Sequence, residues 1–150
     1  MVKYEPSLDS LRTHPVPSWF EDAKLGIFIH WGLYSVPGYA VTKTEIQQGM
    51  RGHRYAEWYL DSLRKRQPAT WKYHLDHYGS DFDYYQFKDT FNDQVKKWDP
   101  NTMAEIIRAA GARYVVLVTK HHDGFCLCPK SQSLGSNGFC QIPHNITRTC

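Results

Sequence analysis

A chain of 150 residues has room for one ordinary domain and falls short of the roughly 250 residues of a complete eight-fold barrel. Hydrophobic residues make up 41% and aromatics 15%, a composition that excludes a disordered chain. Lys and Arg number 18 against 15 Asp and Glu, a formal charge of +3 in mixed signs, too diffuse for the basic stripe a nucleic-acid binder needs.

In chain order, residues 1–18 are polar, carry Pro6, Pro15 and Pro17, and read as an irregular arm. They lack an apolar core of the secretory type, so no signal peptide is expected, and no apolar run approaches the roughly 18 residues of a membrane span. "SWFEDAK" offers Ser18 as an N-cap with Glu21 three residues on, a capping box for a short helix. "LGIFIHW" at 25–31 follows as a nearly continuous apolar run, the pattern of a parallel strand buried on both faces, with Gly26 admitting a close neighbour.

Residues 38–53 read as loop, and 55–66 as a helix ending before Pro68 in the basic run "RKRQ", which a helix C-terminus accommodates through its dipole. A further short helix is expected over 70–78, stopped at Gly79, while "DFDYYQFKDTFND" is ambiguous. The clearest unit spans 99–119. Asp99 is a good N-cap, Pro100 suits the first helical position, and Met103, Ile106, Ile107 and Ala110 share one helical face. Gly111 fits the position after the helix, and "RYVVLVT" then reads as a β-branched strand. A helix feeding an apolar strand is half of a βαβ unit, so the fold class is α/β with a parallel sheet.

Beyond Pro129 neither periodicity persists, and residues 130–150 read as an irregular tail containing a glycosylation triplet at Asn145. The four cysteines, Cys126, Cys128, Cys140 and Cys150, match no strong zinc pattern, and solitary thiols are the default.

Ligands of parallel sheets bind at the C-terminal ends of the strands. His30 ends the first apolar run, and His121 and His122 end the second. Each is either a histidine satisfied by a structural hydrogen bond or a donor to a bound polar ligand. Adjacent residues of a strand point to opposite faces, so His121 and His122 converge only if the chain is already turning, which Gly124 permits. A metal site from His121, His122, Asp123 and His30 needs the same bend, and its spacing matches no strong zinc pattern. In "AEWY", Glu57 beside Trp58 is either an exposed helical carboxylate next to a core ring, or a sugar site with an acceptor and a flat wall. Glycosidases need a pair of carboxylates; only Asp123 lies clearly at a strand end, and no pair stands out.

Three segments, "PSWFEDAKLGIFIHWGLYSVPGYA", "AEWY" and "AAGARYVVLVTKHHDGF", together resemble the N-terminal part of the α-L-fucosidases, glycoside hydrolase family 29, over about residues 4–129. The resemblance implies a partial (β/α)8 TIM-like barrel, first strands only, over residues 1–129, with the tail unlike the family. It implies retaining hydrolysis of terminal α-L-fucose from glycans, and fucosylated glycans or glycoconjugates as partners. By motif, His30, Glu57, Trp58, His121 and His122 match the fucose-binding residues. The family's nucleophile and acid/base carboxylates lie past "KHHDGF", so no catalytic residue is assigned, and the isolated chain is expected to be inactive and poorly folded. The alternative is a non-catalytic fucose- or carbohydrate-binding fragment. No metal and no cofactor are expected, and the family implies a lysosomal or extracellular setting.

Overall fold

The computed structural model describes residues 4–127. Seven short α-helices surround a two-stranded parallel sheet among those residues: α1 Leu8–Arg12, α2 Ser18–Ala23, α3 Lys43–Gln47, α4 Tyr59–Arg64, α5 Pro68–Tyr78, α6 Phe87–Lys97 and α7 Pro100–Ala109. Strands β1 Gly26–Ile29 and β2 Tyr114–Leu117 pair with Gly26 opposite Tyr114 and Ile29 opposite Leu117. The expected α/β class with a parallel sheet is therefore present. None of the helices is long and apolar enough to cross a membrane among the described residues. The tail expected over 130–150, the Asn145 triplet and the cysteines from Cys128 onward lie outside the described residues; Cys126 forms no disulfide among the described residues.

Local chemistry accounts for most helix ends. Asp99 accepts hydrogen bonds from the Asn101 and Thr102 amides, Pro100 opens α7, and Gly111 follows its C-cap with φ +86°. Gly79 closes α5 as expected. That helix begins at Pro68, which starts a helix as well as ending one because it needs no N–H partner in the first turn. The loop expected over 38–53 contains α3, held by a capping box between Thr42 and Glu45, and the arm contains α1, capped by the Ser7 side chain. The ambiguous acidic stretch becomes a 3-10 turn, Tyr84–Gln86, leading into α6, with the Asp83 side chain accepting from the Tyr85 amide. The Ser18 capping box does not form: Ser18 is already helical, Pro17 holds the cap position, and no side chain bonds to the free amides.

The strands differ from expectation in a more consequential way. Both faces of the apolar runs were expected to be buried, yet Phe28 is 68% exposed, and Val115 and Val116 are also exposed. The apolar stripe of α7 is likewise uncovered, with Ile106 66% exposed and no buried residue in the helix. A parallel sheet is dry only when further strands and helices flank it, and two strands offer too little surface for that. On one face the Tyr114 ring occupies the space above Gly26, where an added Cβ would lie 2.1 Å from its Cζ, and Trp19 and Phe20 of α2 pack edge-on and tilted against that ring.

The core lies instead in the long connection between the strands. Leu33, Tyr34, Tyr59, Leu60, Tyr84, Phe87, Phe91 and Val95 cluster with Phe125 and Leu127 from beyond β2. Phe87 is 1% exposed and meets Tyr78 at 4.8 Å and Phe82 at 4.9 Å between ring centroids. His74 is buried in the same layer, sharing a 3.0 Å hydrogen bond with the Tyr59 hydroxyl through Nδ1, while Nε2 reaches the Phe82 carbonyl at 2.8 Å. Aromatic packing of the connection thus fixes the segments that leave the C-terminal ends of both strands.

Candidate functional site

His30 is the first residue after β1, and His121 lies four residues after β2. Pairing continues briefly past the strands, with the Val118 amide donating to the Ile29 carbonyl at 3.0 Å. The chain then turns: the Gly124 amide donates to the His121 carbonyl, Gly124 takes φ +77°, and Lys120 bridges antiparallel to Cys126. This is the bend the adjacent histidines require.

The five residues singled out in the sequence are brought together. The His30 and His121 rings meet edge to face at 5.3 Å, and His121 meets His122 at 4.6 Å. Trp58 lies against His122 at 4.4 Å. Glu57, in the 3-10 turn Ala56–Trp58, has a carboxylate oxygen within 4.8 Å of a ring nitrogen of both His30 and His121. Glu57, Trp58 and His122 also line a cleft of about 230 Å³ that runs on to Asp61 and Arg64. His30 is exposed, and Glu57, Trp58 and His121 are half-buried. The result is a recess in which three imidazoles and a carboxylate gather, with the Trp58 indole against one of the rings.

Several supporting residues were not singled out from the sequence. His53 stacks on Trp58 at 5.1 Å and pairs through Nε2 with Asp61 Oδ2 at 3.1 Å. The Lys65 ammonium sits 2.9 Å from the same oxygen, and its hydrogen bond is the main reason the Asp61 carboxyl lies below its ordinary range. Tyr34 is buried with its ring 5.5 Å from His121, and burial, with the Asp123 and Glu57 charges, pushes its phenol up, so it stays a donor. The Tyr34 hydroxyl and His121 Nδ1 are both buried and without hydrogen-bond partners among the described residues. Such orphaned groups are uncommon in folded proteins and are positions where a bound water or another polar group is expected. Tyr34 has one faint signal in the sequence, its closeness to "IHWG".

Asp123, the strand-end acid, has a different place. It is 5% exposed; the Tyr84 hydroxyl donates to Oδ2 at 2.7 Å, and the Phe125 amide donates to Oδ1 at 3.0 Å. The Tyr85 hydroxyl donates to the Asp123 carbonyl at 2.9 Å. Burial and the neighbouring carboxylate raise the Tyr84 phenol, which therefore remains the donor. Oδ2 thus ties the histidine turn to the 3-10 turn Tyr84–Gln86, while Oδ1 closes the histidine turn itself.

His121 has a pKa below the usual histidine value. Burial is the largest cause, followed by the His122 and His30 imidazoles, against the opposing pull of Glu57 and Asp123. The unfolded chain therefore binds this proton at higher pH than the folded one. The contribution to stability is complete above the unfolded pKa of about 6.5 and is lost as pH falls through the lower folded value. Urea midpoints are expected to drop from pH 7.5 towards pH 5, with a shallower drop in His121→Gln. An identical pH slope in wild type and variant would remove His121 as the cause.

The α-L-fucosidase family model matches residues 1–144. The α-L-fucosidase of Dictyostelium discoideum is 38% identical over 138 residues, covering 90% of this chain and 27% of that protein. Tissue α-L-fucosidase of Mus musculus is 35% identical over 142 residues, covering 95% of this chain and 28% of that protein. The crystal structure of Thermotoga maritima α-fucosidase in complex with fucose is similar at a TM-score of 0.73 and 49% identity, over 87% of this chain and 30% of that one. The chain spans little more than a quarter of the length of the curated relatives it matches. Matched over nearly all of its residues by that one model, this chain belongs to the α-L-fucosidase family.

Proposed function

We propose that these residues form the sugar-recognition part of an α-L-fucosidase that removes terminal α-L-fucose from glycans with retention. In this reading residues 1–129 are the N-terminal part of the catalytic domain, and β1 and β2 are the first strands of a (β/α)8-like barrel. The imidazoles of His30, His121 and His122 hydrogen-bond the sugar hydroxyls, Glu57 accepts from a hydroxyl, and Trp58 packs on a C–H face.

The observation that carries the reading is the meeting of the His30, His121, His122 and Trp58 rings with Glu57 beyond the ends of two adjacent parallel strands. The orphaned, buried Tyr34 hydroxyl and His121 Nδ1 support it, since sugar hydroxyls both donate and accept. Retention requires two carboxylates about 5–5.5 Å apart across the scissile bond. Asp123 is committed to its buried network, which leaves Glu57 for recognition. The nucleophile and the acid/base then come from outside the described residues.

Saturation-transfer NMR with L-fucose on the purified chain tests this, with D-fucose as control. The mirror image carries every functional group but cannot place them on the same partners. Transfer to L-fucose with little to D-fucose is the expected result. Equal transfer to both, or none to L-fucose, would sink the recognition reading.

A further inference from the structure

Three side chains from distant parts of the chain bring ligating atoms together beyond the C-terminal ends of the two strands. One donor atom each from His30, Glu57 and His121 lies within 4.8 Å of the other two. His122 is not in this group; its ring is turned to Trp58. Among the described residues neither the His30 ring nor the Glu57 carboxylate has a hydrogen-bond partner, and His121 Nδ1 is buried without one. Two imidazoles and one carboxylate are a donor set that suits zinc and its first-row neighbours, with a fourth position left open.

We propose that His30, Glu57 and His121 bind a divalent transition cation, and that this cation and the sugar exclude one another from the recess. The metal part stands on donor geometry alone; the competition rests on the sugar reading above. Tetrahedral bonds of about 2.0 Å set donors about 3.3 Å apart. The present separations of up to 4.8 Å therefore close by about 1.5 Å on binding. His30 is exposed just past the end of a strand, and rotation about its side-chain bonds supplies that movement. The sequence does not announce the site because its donors come from three separated segments, and zinc patterns are recognised by short spacings. Occupancy uses up the same imidazole nitrogens and carboxylate that a sugar hydroxyl would meet, so the cation acts as an inhibitor and not as a cofactor.

The test is titration of the purified chain with zinc chloride alone at pH 7.5, read by calorimetry and by histidine ring 1H–15N correlation spectra. One zinc equivalent is expected, shifting the His30 and His121 ring signals and leaving His14 and His77 unmoved. Glu57→Gln is expected to weaken binding at least about tenfold, while Cys126→Ser leaves it unchanged. Zinc that moves His14 or His77, depends on Cys126, or binds Glu57→Gln as tightly as wild type overturns the site. The ring spectra use the wild-type protein, so a variant that fails to fold does not mask the answer. Saturating L-fucose is expected to raise the apparent zinc dissociation constant. Zinc held by His30 and His121 but indifferent to L-fucose upholds the metal site and overturns the competition. L-fucose binding with no zinc uptake overturns the metal site and leaves the sugar reading intact.

Discussion

Replacing Phe87 with alanine is expected to cost about 3–5 kcal/mol, the range for removing a large aromatic side chain from a packed core. The ring is 1% exposed and contacts Tyr59, His74, Tyr78, Phe82 and Tyr84. Those neighbours are themselves rigid rings from α4, α5 and the turn before α6, so they cannot flow into the space. The packed aromatic layer gives the chain a core that the exposed sheet lacks, so a cooperative urea transition is expected in place of the poorly folded state inferred from sequence; small domains are stable by only about 5–15 kcal/mol, and this loss is a large fraction of that. The urea midpoint is expected to collapse, and Phe87→Leu to recover part of it by refilling volume. An alanine variant within about 1 kcal/mol of wild type would mean that the aromatic layer is not the core.

The second large effect is on ligand affinity. Glu57→Gln is expected to weaken L-fucose binding about tenfold to a hundredfold, because a hydrogen bond to a charged group contributes about 1.5–3 kcal/mol and each 1.4 kcal/mol is a factor of ten. Glutamine keeps the shape and one acceptor oxygen but loses the charge. Glu57 has no hydrogen-bond partner among the described residues, so stability is expected to move by less than about 0.5 kcal/mol. Affinity measured by ligand NMR, beside the urea midpoint, separates the two. Unchanged affinity, or a midpoint that falls in step with affinity, would take Glu57 out of the recognition role.

The two effects fall on different parts of the chain because core and recess are built separately. The core is the aromatic connection, and the recess is where the ends of that connection meet the sheet. Asp123 joins them, accepting from Tyr84 of the core while holding the turn that carries His121 and His122. Damage to the aromatic layer therefore reaches the imidazoles through this carboxylate, whereas Glu57 and His30 stand at the rim, where substitution leaves the layer intact.

Much is legible in the sequence because it depends on neighbours along the chain. The Asp99–Pro100 start and Gly111 end of α7 follow from which residues satisfy free amides and which tolerate positive φ. The bend at Gly124 follows from the need to turn two adjacent histidines, and the apolar runs at 26–29 and 114–117 are strands because β-branched and aromatic side chains fit a pleated surface. The family was legible for the same reason, since long runs such as "KLGIFIHWG" keep their order and spacing.

What only the tertiary structure decided is which groups meet. Pairing of β1 with β2 across more than eighty intervening residues sets His30 beside His121, and no local rule carries that register. Burial went the same way: apolar pattern alone says a strand can be dry on both faces, but dryness is conferred by neighbours, and Phe28 remains in water where none is packed against it. Asp123, the one acid the sequence sets clearly at a strand end, is a buried tether, because its partners Tyr84 and Tyr85 come from nearly forty residues away. Residue type and local spacing set what each side chain is able to do; through-space contact between distant segments sets what it does.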